Sequence, residues 1–135
     1  MSPARQIHRG DYSAFWQKAQ EFRRSMEHAL DDQDWNALGL NAVHCAISAN
    51  DALLAFYGGA KASGSDHREA IGLLTQFVKH KDAPKNATHL KRVIAQKSLI
   101  EYEGKLFPSV EAKDVYQHAL RFYTWAAQML NQSST

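Results

Sequence analysis

The chain has 135 residues, a net charge of +2 with histidine taken as neutral, 44% hydrophobic and 22% charged residues, and one cysteine. These values exclude a disulfide-stapled scaffold and an intrinsically disordered chain, and a charge so small makes no case for nucleic acid by itself. The length suits one domain that can bury a real core.

The apolar residues recur at steps of three and four almost everywhere, which is the spacing of an amphipathic helix. In the first segment they are Tyr12, Phe15, Trp16, Ala19, Phe22, Met26, Ala29 and Leu30, with Asp11 placed to cap. A helix over about 11–31 is expected, ended by "DDQD". A second helix runs from about 34 to 58. Trp35, Leu38, Ala42, Ala46, Ala49, Leu53 and Phe56 make one stripe; Leu40, Val43, Ile47 and Leu54 make another. A helix apolar on more than one face is surrounded by others. Gly58 and Gly59 stop it, since glycine takes the left-handed cap conformation readily.

After the loop "KASGSD", Asp66 and Glu69 frame a capping box for a third helix over about 66–80. "KDAPKN" interrupts the chain at Pro84, and a fourth helix is expected over about 86–103, closed by Gly104. Ser109 and Glu111 suit the start of a fifth, over about 109–131. No segment alternates as a half-buried strand does, and no linker divides the chain. The expected architecture is all-α: a single domain built as a five-helix antiparallel up-and-down bundle. The first ten residues carry no apolar run, and no stretch approaches the roughly 20 apolar residues of a membrane span. A cytoplasmic protein that meets no membrane is expected.

Chemistry is sparse. The seven histidines contain no i, i+4 pair, and there is no Cys-x-x-Cys, so neither a metal site nor a cofactor is expected. Cys45 reads as a buried structural thiol. On the second helix Asn41, His44, Ser48 and Asp51 form a polar stripe, which needs solvent, a polar cleft or an interface to satisfy it. The stretch from Lys79 to Lys97 is the most basic. Its Lys91, Arg92 and Lys97 are candidates for phosphate contacts, which work by Coulomb attraction without base reading. Arg23 and His28 have the spacing of an Arg-x4-His motif, but on the first helix.

"NAVHCAISANDALLAFYGG" on the second helix, "GSDHREAIGLL" at the third, "LIEYEG" closing the fourth and an amphipathic last helix together resemble a HEPN domain over about 11–131. The resemblance implies a small helical bundle that pairs as a homodimer, often through its long helices. It also implies work beside a minimal nucleotidyltransferase in a toxin–antitoxin-like module. Active members of the family are metal-independent RNases with Arg, four to six residues, then His, late in the bundle. The histidine would move the proton and the arginine stabilise phosphate charge. Here Lys97 stands at the arginine position, Ser98 beside it, Glu101 at the histidine position and Tyr102 after it. Lys97 can neutralise a phosphate only as a point charge, and an ionised Glu101 is no acid. The expectation is therefore a binding module without that RNase activity, engaging a partner protein or RNA. Its candidate cleft holds His44, Asp51, His67, Lys97, Glu101 and Tyr102. The rival is a divergent metal-independent RNase that uses His44 or His67. A third reading is a dimerisation module with Leu40, Ile47 and Leu54 as its surface.

Overall fold

The structure is a computed structural model that describes residues 4–62, 67–102 and 104–133. The described helices are α1 (Tyr12–Asp32), α2 (Trp35–Gly58), α3 (His67–Phe77), α4 (Ala83–Ile94), α5 (Lys97–Tyr102) and α6 (Ser109–Met129). The all-α bundle is therefore the architecture observed. The small exception is a pair of two-residue strands, β1 (Arg5–Gln6) and β2 (Ala60–Lys61), antiparallel with Arg5 opposite Lys61. Two residues are too few to show an alternating pattern, so the sequence carries no sign of them.

α2 is the central element. Thirteen of its residues are buried, from Leu38 to Ala55, and they cover most of the helix, leaving the arc of Leu40, His44, Ile47 and Asp51 more open. The small alanine side chains let α1 and α6 approach it closely. Between α1 and α6, Trp16 stacks on Tyr123 with centroids 4.7 Å apart, and both are buried. Full burial of a side chain such as Leu53 or Leu54 stabilises the fold by about 1.5–3 kcal/mol.

Directions follow from the contacts. Tyr12 meets Phe56 and Phe22 meets His44, so α1 runs against α2. Asn36, near the start of α2, takes the backbone N–H of Phe107 just ahead of α6 at 2.7 Å. Tyr57, near the end of α2, donates its hydroxyl to the Met129 carbonyl at 2.6 Å. α2 and α6 therefore run parallel. A side-chain carbon on Gly58 would collide with the Phe77 ring, so α2 and α3 end side by side. Alternation of direction along the chain is thus broken at that pair.

Several ends differ from expectation. Asp11 occupies the cap position of α1, but its carboxylate makes no capping bond; a 3-10 turn over Arg9–Asp11 leads in instead. Pro108, not Ser109, caps α6. Asp66 lies outside the described residues. Pro84 starts a helix rather than breaking one: α4 begins at Ala83, and proline fits the first turn, where its missing N–H has no helical partner anyway. The expected fourth helix is two helices. At the junction the Gln96 N–H bonds to Val93, three residues back, before the ladder resumes with Ile100 to Gln96.

Candidate functional site

The turn at Ala95 and Gln96 aims α5 away from α4 and onto α2. Gly39 makes the docking possible. A side-chain carbon there would sit 2.9 Å from the Phe107 ring and 3.0 Å from Ile100 Cδ1. Phe107 is buried, and the bond from its N–H to Asn36 Oδ1 fixes the chain after α5. Two residues of α2 and two from the 97–107 segment thus clamp α5 in place.

That docking brings His44 and Glu101 together, with His44 Nε2 3.5 Å from Glu101 Oε1. The Glu101 side chain is 16% exposed and the His44 side chain 38%. Phe22 of α1 lies against the His44 ring, with centroids 5.2 Å apart. The carboxylate favours the N–H on Nε2, which leaves Nδ1 as the basic nitrogen. Among the described residues no ion pair joins Lys97 to Glu101, although the spacing would allow one. Lys97 is half-buried on the same short helix.

The other candidates are placed differently. Asp51 lies seven residues along α2 from His44, and the cations acting on it are Lys61 and Lys18, not Lys97. Burial pushes its carboxyl up to about 6, against the pull of those two lysines. Ser48 is buried, and Asn41 donates to the Ala37 carbonyl of its own helix at 2.8 Å. The side chains of His67 and Tyr102 lie outside the described residues. Lys91 and Arg92 are exposed on α4. Leu40, Ile47 and Leu54 do not share a surface: Leu40 is exposed and Leu54 is in the core. Arg23 and His28 do not meet; Arg23 turns inward, with Nη1 3.9 Å from Glu27, while His28 is exposed. Both Glu27 carboxylate oxygens lie 2.9 Å from the Tyr116 hydroxyl, which donates to them; burial and this bond push Tyr116 up to about 12. Cys45 is buried, and that burial pushes its thiol far above the usual range, so it is no nucleophile.

Among the described residues no three His, Cys, Asp or Glu side chains cluster as a metal ion would require, and no helix is long and apolar enough to cross a membrane. One arrangement escaped the sequence. His89 of α4 and His118 of α6 face one another with their Nδ1 atoms 2.8 Å apart. They are 29 positions apart on different helices, so no local spacing announces them. The i, i+4 pair of Asp114 and His118 is the only part of the group visible in the sequence.

Comparison with known families gives one result. The HEPN domain profile matches residues 12–130, nearly the whole chain. The chain belongs to the HEPN domain family. No curated protein matches it, and no solved structure does. Within this HEPN domain Glu101 of α5 is engaged with His44 of α2.

Proposed function

We propose that this HEPN domain works by binding rather than by cutting. In this reading it is a homodimeric component of a nucleotidyltransferase-associated, toxin–antitoxin-like system in the cytoplasm. It engages RNA or the partner protein through the face that carries α5. The observation that carries the reading is the His44–Glu101 contact at 3.5 Å. The family's cleavage chemistry needs a histidine at that place to move a proton between ribose and leaving oxygen. A carboxylate paired with an imidazole does not supply it, and lysine lacks the planar fork with which arginine holds a phosphate in two places. The exposed cations Lys91 and Arg92 and the half-buried Lys97 remain able to meet backbone phosphates by charge alone.

One observation favours the rival. A carboxylate on Nε2 orients an imidazole and leaves its Nδ1 free to accept, which is the placement a general base needs. His44 in that state could take a proton at Nδ1. The two readings separate in one experiment. The purified chain is incubated with mixed RNA in EDTA beside a His44→Ala, His67→Ala double variant. No cleavage by either is expected, together with RNA or partner binding that a Lys97→Ala, Glu101→Ala double variant loses while its circular dichroism is unchanged. Cleavage by the parent alone would overturn the binding reading and assign His44 or His67 as base.

A further inference from the structure

Away from α5, the junction of α4 and α6 gathers a second set of titratable groups. His89 and His118 share a 2.8 Å contact between Nδ1 atoms, and their ring centroids are 5.1 Å apart. His118 Nε2 lies 3.5 Å from the Asp114 carboxylate one turn back on α6. His89 is 9% exposed, yet it opens onto a cleft of about 340 Å³. Lys85 and Arg121 line that cleft from its two sides, with Asn86, Thr124 and Gln128 between them.

The proton positions follow from the contacts. Asp114 favours a proton on His118 Nε2, so His118 Nδ1 accepts and His89 Nδ1 donates. The next proton then belongs on His89 Nε2. Burial opposes that proton first; after it come His118, Arg121, Lys85 and Arg92, each repelling a positive ring. The facing acids are few. Asp114 is held by His118, and Asp82, at the cleft edge, has its carboxylate 4.0 Å from His80 Nδ1. The Trp125 indole N–H, in the cleft wall, is buried without a partner among the described residues. A pair of imidazoles ringed by arginine and lysine gains nothing from those neighbours as a helix-to-helix bond. The surroundings become favourable when an anion enters, because the anion neutralises the cations and accepts the ring protons.

We propose that the cleft between α4 and α6 is a site for a phosphate monoester dianion. Lys85 and Arg121 hold the phosphate oxygens, and the His89–His118 pair takes up one proton as the phosphate enters. A monoester suits the site better than a diester. It presents three acceptor oxygens and close to two negative charges near neutral pH. The same chemistry serves a mononucleotide and the terminal phosphate of an RNA. The site is separate from the α5 face and stands or falls independently of it.

The test follows the ring resonances of His89 and His118 by NMR, with inorganic phosphate replacing chloride at constant ionic strength. Phosphate is expected to move both rings and to raise the midpoint of the His89 titration by about one pH unit. Linkage then requires the affinity for the dianion, counted after phosphate's own protonation in the same range, to rise about tenfold as pH falls through that titration. Arg121→Gln and Lys85→Gln, both surface changes, should each weaken binding about tenfold. Arg24→Gln, an exposed arginine on α1, should not. Adenosine 5′-monophosphate and a 5′-phosphorylated oligoribonucleotide then serve as second probes, and the tighter of the two identifies the source of the phosphate. Rings that respond to phosphate no more than to chloride would overturn the proposal. So would binding that survives both substitutions undiminished.

Discussion

Replacing Asp51 by Asn should stabilise the fold at neutral pH. Burial raises the Asp51 carboxyl from 3.8 to about 6 in the folded chain. The folded state therefore holds this proton more tightly than the unfolded chain does. The penalty is absent below about pH 4, grows as pH rises through the interval and is complete above about 6. A shift of roughly two units at 1.36 kcal/mol each sets a ceiling of about 3 kcal/mol. Asp51 keeps some solvent contact, so about 1–2 kcal/mol is the reasonable expectation. Asparagine keeps the shape and removes the charge. Urea unfolding of Asp51→Asn and of the parent should differ by that amount at pH 7.5, with equal m-values, and by almost nothing at pH 4. His89 titrates in the opposite sense. Its lowered value makes the folded state lose stability as pH falls below 6.5. Both proteins carry that term, so it cancels in the difference. A variant no more stable than the parent at pH 7.5, or a gain that persists undiminished at pH 4, would refute the reasoning.

Two further changes probe the clamp on α5. Gly39→Ala gains about 1 kcal/mol of helix propensity but must push aside the buried Phe107 ring, and overpacking of that kind costs about 1–3 kcal/mol. A net loss of about 1 kcal/mol is expected in urea, and a stabilised variant would show that the close approach is not there. Asn36→Ala deprives the Phe107 N–H of its acceptor and should cost about 1 kcal/mol, since water can reach the exposed end of the bond. Asn36→Asp retains the oxygen and should recover most of that loss in the same assay.

The helices were legible because their apolar spacing is dictated by burial, and burial is what the bundle supplies. Trp16, Ala19, Met26 and Ala29 are the inward residues of α1, as the stripe required. Breaks set by tertiary contacts were not legible. Ala95 and Gln96 are both good helix formers, and neither glycine nor proline marks the junction. The chain turns there because α4 lies chiefly against α6 and α3, with a lesser contact to α2, while α5 seats on α2 at Gly39, and one straight axis does not serve both. Pro84 misled for a local reason: a proline that cannot sit inside a helix is well suited to its first turn. The polar stripe of α2 was visible, but not how it would divide. His44 meets Glu101, Ser48 is buried, and Asp51 answers to lysines of α1 and β2. The His89–His118 pair depends on how α4 and α6 pack, and spacing along one helix carries no such information.

The short length of α5 has a consequence for how the molecule breathes. Six residues are too few for a helix to persist in water unaided, since isolated helices below about 12–15 residues are marginal. Its persistence rests on Ile100, Phe107, the Glu101 contact with His44 and one bond to Asn36, whereas α2 is secured around most of its circumference. Its amides should therefore exchange with solvent through a local opening that leaves the rest of the bundle intact, at a free energy well below that of global unfolding. Any molecule that grips Lys97 or Glu101 must close that opening, so it should announce itself as slowed exchange from 97 to 102 before any change of shape is seen.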